Sequence, residues 1–248
     1  MTVGLFVPCY IDQFYPGVAR AVLEILERGG ASVQVPEAQT CCGQPLANSG
    51  HETETFELMH RTASLFADCD RIVCPSGSCS YHIREHYEKV PQSEEIVHLR
   101  RNVREFCRFL DDYPEFIPDR IHFPYRTGLH QSCHGLRGLR LGRASELMEP
   151  DHSIPEDLLS RAEGIELCRL GRSDECCGFG GTFAVKQEAL SVQMGADRLK
   201  DHMNAGVEVI TGTDSSCLMH LEGLAKRRRM PLRFLHIAEI LNSTGENR

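Results

Sequence analysis

The sequence predicts an α/β protein of two tandem, pseudo-symmetric units, each with a mostly parallel sheet flanked by helices. Two observations carry that expectation. Short apolar runs alternate with amphipathic stretches, the pattern of strand–helix–strand crossovers. The same order then occurs a second time with matching cysteines: Cys9, Cys41-Cys42-Gly43 and Cys79, followed by Cys133, Cys176-Cys177-Gly178 and Cys217. The first cysteine-rich unit is placed at residues 1–115 and the second at 123–242. Their boundary falls near Tyr113 to Phe123, where Pro114 and Pro118 interrupt any helix and Pro124 follows.

In the first half, Val3 to Cys9 reads as a buried strand. Pro16 to Gly30 reads as a helix, with proline at its start, apolar residues every three to four positions and a Gly-Gly close. Ala31 to Glu37 is a second strand. Glu54 to Ala67 is helical with Thr53 as N-cap, and Arg71 to Gly77 is a third strand. In the second half, Thr127 to Cys133 corresponds to the first strand. A helix is expected over Leu139 to Met148, a strand over Glu166 to Leu170 and a helix over Lys186 to Ala205. Val207 to Cys217 matches the third strand and its last cysteine. Each half closes on a similar phrase, NVREFCRFL and RFLHIAEIL.

Composition narrows the function classes. A 248-residue chain that is 41% hydrophobic can bury a substantial core. Its formal charge of −8 argues against a nucleic-acid partner. The one basic block, Lys226 to Arg229, reads as a solvated helix end. No segment approaches the roughly 20 apolar residues needed to span a bilayer, and the N-terminus lacks a signal-peptide pattern. Twelve cysteines so unevenly spaced point to ligands or redox groups in a reducing cytoplasm, not to disulfides.

The doubled cysteine order is the chemical signal. The gaps are 31 and 36 residues in the first copy and 42 and 39 in the second. Two ordered sets of soft thiolates imply two metal centres. Adjacent cysteines point to opposite faces in an extended strand, so they share one centre only at a sharp turn. Gly43 and Gly178 supply that turn and let backbone N–H groups approach sulfur. Cys9 and Cys133 are expected to close the first strand of each unit, at the carboxyl edge where open α/β sheets bind ligands. Four thiolates per set suit an iron–sulfur cluster better than a lone zinc. Cys69, Cys74, Cys107 and Cys168 have no counterpart in the other half and read as core residues, Cys74 also as a substitute ligand five before Cys79.

His82 and His220 each follow the last cysteine of a set by three residues, which places them on its helix face. His130 and His134 flank Cys133 without partners near Cys9 and carry less weight. No GxGxxG follows the first strand and no GxxxxGK[ST] occurs, so neither dinucleotide nor P-loop binding is signalled. Ser76, Ser78, Ser215 and Ser216 lack the histidine–carboxylate setting of a nucleophile. Arg137 and Arg140, near Cys133, read as solvated surface.

These motifs resemble the cysteine-rich CCG-domain family, whose domain occurs in heterodisulfide reductase and in the iron–sulfur component of glycolate oxidase. LFVPCYIDQFYP, CCGQPLANSG, PSGSC, SCHGLRGL, ECCGFGGTFAVK and CLMH with HIAEILN look like the lactate-utilization branch of that family. The resemblance covers Val3 to about Asn242. It implies an iron–sulfur electron-transfer subunit of a complex oxidising L-lactate to pyruvate. The implied partners are a ferredoxin-like iron–sulfur protein and a third lactate-utilization subunit. It implies that Cys9, Cys41, Cys42 and Cys79 hold one cluster, and Cys133, Cys176, Cys177 and Cys217 the other.

One departure matters. The heterodisulfide reductase type ends each motif in CxxC, whereas Ser76 and Asp214 replace the first cysteine of that pair here. This favours two four-cysteine 4Fe–4S clusters over five-cysteine, non-cubane ones, with Ser76 or Asp214 as a weak oxygen ligand. Two alternatives stand beside this reading. One is a cluster-dependent thiol–disulfide reductase subunit of the heterodisulfide type. The other is an interaction protein stapled by zinc.

Overall fold

The computed structural model describes residues 1–244 and places a four-stranded, all-parallel sheet in each half of the chain. The chain divides into one unit spanning Met1–Ile117 and another beginning at Pro118.

In the first unit the strands are β1 (Thr2–Leu5), β2 (Ser32–Gln34), β3 (Arg71–Cys74) and β4 (Val103–Glu105). Their spatial order is β2-β1-β3-β4. The helices are α1 (Cys9–Phe14), α2 (Pro16–Arg28), α3 (Gln44–Asn48), α4 (Phe56–Leu65), α5 (Gly77–Tyr81), α6 (Glu94–Asn102) and α7 (Phe106–Asp112). The apolar stripe of α2 is real: Val18, Ala21, Val22, Ile25 and Leu26 are its buried residues. Burying a side chain the size of Val22 or Leu26 stabilises by about 1.5–3 kcal/mol each. Phe6, Met59, Phe66, Ile72, Ile83 and Tyr87 belong to the same buried cluster as Cys42, Cys74 and Cys79.

The second unit repeats the plan with β5 (Arg126–His130), β6 (Glu166–Leu167), β7 (Val209–Gly212) and β8 (Arg233–His236), ordered β6-β5-β7-β8. Its helices are α8 (Ile154–Leu159), α9 (Thr182–Lys186), α10 (Glu188–Asn204), α11 (Ser215–Arg227) and α12 (Ile237–Leu241). The tandem α/β architecture expected from sequence is what the chain adopts.

The closing phrases of the two halves are strand–cap–helix units. The Glu105 carboxylate accepts from the N–H groups of Cys107 and Arg108 at the start of α7. His236 stands at the matching point, accepts from Ala238 N, and Glu239 accepts from His236 N in return. The basic block ends α11, where Lys226 to Arg229 are exposed and suit the helix dipole.

Several expected boundaries shift. Residues 139–148 are not helical; they form turns after a π-helical turn at His134–Gly138. Gly138 and Gly142 weaken any helix there, and Arg140 has φ 53°. The helix of this stretch is α8 instead, capped by Ser153. Thr53 does not cap α4; it opens a 3₁₀ turn, Thr53–Thr55, before it. Gln187 divides the long second-half helix into α9 and α10. The strands β1 and β5 stop at Leu5 and His130, so neither Cys9 nor Cys133 closes a strand. Among the described residues no helix is long and apolar enough to cross a membrane.

Candidate metal centres

Strand register fixes where the first and last cysteines of each set sit. Val3 pairs with Arg71 and Thr127 with Val209. Cys9 lies six residues beyond Val3 and Cys133 six beyond Thr127. Cys79 lies eight beyond Arg71 and Cys217 eight beyond Val209. The first and last cysteines of each set therefore emerge from the same end of its sheet, past two adjacent central strands, and the adjacent pair follows the parallel edge strand, β2 or β6.

In the first unit Cys9 opens α1 and Cys79 lies in the first turn of α5. The Cys9 thiol donates to Cys41 Sγ at 3.8 Å, and the Cys42 and Cys79 sulfurs lie 3.4 Å apart. Gly43, at φ 91°, makes the left-handed turn that lets neighbouring cysteines serve one site. Its N–H points at Cys41 Sγ, 3.4 Å away. Ser76, at the CxxC position, caps α5 by accepting from Cys79 N at 3.2 Å.

The second unit is built alike. Gly178 has φ 87°, and its N–H lies 3.3 Å from Cys176 Sγ. Phe179 N approaches Cys177 Sγ at 3.5 Å. Cys217 sits in the first turn of α11, whose N-cap is Asp214. One ring nitrogen of His130 and the sulfurs of Cys177 and Cys217 lie within 4.8 Å of one another.

Electrostatics divide each set the same way. Hydrogen bonds from Cys42 and Cys9, aided by Gly43 N–H and His82, hold the Cys41 thiol down at about 2. Hydrogen bonds from Cys133 and Cys177, with Gly178 N–H and His130, do the same for Cys176, to about 2. The donors Cys9 and Cys133 are pushed up by those hydrogen bonds and by burial. Cys42 and Cys177 are likewise raised, first by their bonds to Cys41 and Cys176. In each set the neighbours thus favour the thiolate form of one sulfur, the form in which sulfur binds a soft cation.

The outer thiols meet solvent and the inner ones do not: Cys133 is exposed and Cys9 half-buried, while Cys42, Cys79 and Cys177 are buried. Cys69, Cys74 and Cys107 are buried too, and Cys168 is half-buried. Cys74 hydrogen-bonds with Cys79, and both burial and that bond raise it. His82 is buried, stacked on His86 at 5.0 Å. Arg137 pairs with Glu146 at 2.6 Å and Asp174 at 3.2 Å, which ties down the loop beyond Cys133. His130, which carries little weight in the sequence, stands beside Cys177 and Cys217; its one local signal is its place three before Cys133, at the end of β5.

The donor set fits a metal or iron–sulfur group: in each unit the four repeated thiols come together, with N–H groups directed at sulfur.

Comparison with known proteins agrees with this site. The family model described as "Cysteine-rich domain" (CCG) matches twice, over residues 3–84 and 127–222, once in each unit. Lactate utilization protein A of Geobacillus thermodenitrificans is 38% identical over 98% of this chain and 99% of its own length. The Geobacillus kaustophilus protein of the same name is 39% identical over the same shares. That of Halalkalibacterium halodurans is 36% identical over 100% of this chain and 99% of its own. A doubled family match and full-length relatives above 30% identity place this chain in the cysteine-rich CCG-domain family, in the group of lactate utilization protein A.

Proposed function

We propose that this chain is an iron–sulfur electron-transfer subunit of a cytoplasmic complex that oxidises L-lactate to pyruvate. The observation that carries the reading is the pair of four-thiol groups, one per unit, in a chain similar along its whole length to lactate utilization protein A. Cys9, Cys41, Cys42 and Cys79 hold one 4Fe–4S cluster, and Cys133, Cys176, Cys177 and Cys217 the other. When bound, such a group supplies one-electron transfer. Lactate oxidation releases two electrons, which two centres in one chain can accept singly.

The chain's own residues set the conditions. Gly43 and Gly178 N–H groups stabilise negative charge on sulfur. Buried Cys42, Cys79 and Cys177 keep water from the inner side of each site. The exposed side at Cys9 and Cys133 is where electrons pass to and from a ferredoxin-like iron–sulfur protein and a third lactate-utilization subunit.

The test is iron, zinc and acid-labile sulfide content of protein purified without oxygen, with its visible spectrum. The expected result is about eight irons and eight sulfides per chain, for two four-iron clusters. The isolated chain is expected to show negligible lactate oxidation; robust turnover alone would overturn the subunit reading.

One observation favours a second reading, zinc. Thiolates sharing a tetrahedral zinc stand about 3.8 Å apart, given Zn–S bonds of about 2.3 Å. The Cys9–Cys41 and Cys42–Cys79 separations are 3.8 and 3.4 Å. Zinc without sulfide in the same assay would select this reading.

A further inference from the structure

The shared register allows the two sites to be compared position by position, and they are not chemically equal. The strand position of Phe6 in the first unit is that of His130 in the second. The position of Cys74 is that of Gly212. Phe6 is a plain core residue, 6.0 Å from the ring of Phe66. His130 is 1% exposed, and neither of its ring nitrogens has a hydrogen-bond partner. Leaving a polar group buried and unsatisfied costs about 1–3 kcal/mol.

Its neighbours explain where the ring belongs. Among the described residues, His130, Cys177 and Cys217 form the one set of three soft or borderline ligands within 4.8 Å of one another. The first unit places an extra thiol, Cys74, against Cys79. The second has no room for that thiol, because a side chain at Gly212 would meet the His130 carbonyl at 2.8 Å. The extra donor comes instead from the adjacent strand, as an imidazole.

We propose that His130 is a ligand of the second unit's metal centre, beside Cys177 and Cys217, so that this centre has mixed thiolate–imidazole ligation while the first has thiolates alone. The proposal rests on the reading of iron–sulfur centres given above. His130 is here an additional donor beside the four thiolates; a neutral imidazole adds no negative charge where the corresponding extra donor of the first site, Cys74, is a thiol. Histidine in the place of a thiolate raises the potential of an iron–sulfur centre. The second centre therefore holds an electron more tightly than the first.

The experiment uses full-length protein carrying Cys41→Ser, so that only the second centre remains, purified without oxygen. It is prepared with natural and with ¹⁵N-labelled histidine, reduced, and examined by pulsed EPR. The expected result is the coupling of a metal-bound imidazole nitrogen that changes with the label and is lost in His130→Gln. A His130→Cys version is expected to keep its iron and shift the midpoint potential downward. Iron and sulfide present with no bound-nitrogen coupling would overturn the assignment of His130 alone. So would coupling that persists in His130→Gln. If His130→Gln loses its iron, the labelled spectrum of the parent decides. A preparation with no iron at the second centre would overturn the iron–sulfur reading, and this proposal with it.

Discussion

The Tyr87 hydroxyl donates a 2.9 Å hydrogen bond to the backbone carbonyl of Cys42, and both residues are buried. The bond anchors the adjacent-cysteine turn of the first unit from a segment far along the chain. Tyr87→Phe leaves the Cys42 carbonyl without that donor and is expected to cost about 1–3 kcal/mol. Iron is expected to leave the first centre faster on chelator challenge, while the second centre releases it at the parent rate. Denaturation midpoints and two-phase iron release measure both effects; equal loss from the two centres would sink the local account.

Cys41 and Cys177 belong to different units. Cys41→Ser and Cys177→Ser are each expected to remove about half of the bound iron and sulfide, as loss of one of two four-iron clusters requires. Full iron retention in both variants would defeat the ligand assignment.

The two turn glycines make a graded prediction. Both have positive φ, which costs an L-residue about 1–2 kcal/mol. A methyl at Gly43 meets nothing closer than 3.4 Å, whereas at Gly178 it meets the Ser191 carbonyl and Met194 Cβ at 2.7 Å. Gly178→Ala should therefore destabilise more than Gly43→Ala and impair metal loading of its own unit more. Thermal melts and metal content of the two variants check the order; a reversed order contradicts the contact argument.

Burial, with Arg198 and His130 adding to it, pushes His202 down to about 2 from its ordinary 6.5. The unfolded chain binds this proton below that ordinary value, and the folded chain does not until far lower pH. Stability is therefore constant above about pH 6.5 for this group and falls as pH drops below it, by at most about 1.4 kcal/mol per unit. Denaturation of parent and His202→Gln at about pH 7 and pH 5 should show a shallower loss in the variant, by up to about 2 kcal/mol. Identical pH slopes would show that His202 contributes nothing to acid sensitivity.

Much of this protein is legible in one dimension. Apolar periodicity is a local property, so the alternation of strands and helices and the amphipathic stripe of α2 could be read directly. The ligand types and their doubled order are local as well, and Gly43 and Gly178 carry their turn wherever the chain goes. Local pattern failed where a stretch has no strong period of its own. Residues 139–148 look helical by composition, but their glycines and the left-handed Arg140 make turns.

Only tertiary structure decided which donors meet. Cys42, in the loop after β2, and Cys79, beyond β3, come within 3.4 Å because β2 and β3 both flank β1 in one parallel sheet, and spacing along the chain does not contain that fact. The matching pairing of β5 with β6 and β7 sets His130 against Cys177 and Cys217, whereas Cys74 meets Cys79 through the short turn between β3 and α5. Sequence determined that there are two thiol-rich sites. The register of parallel strands, a contact between residues distant in sequence, determined that the two sites differ.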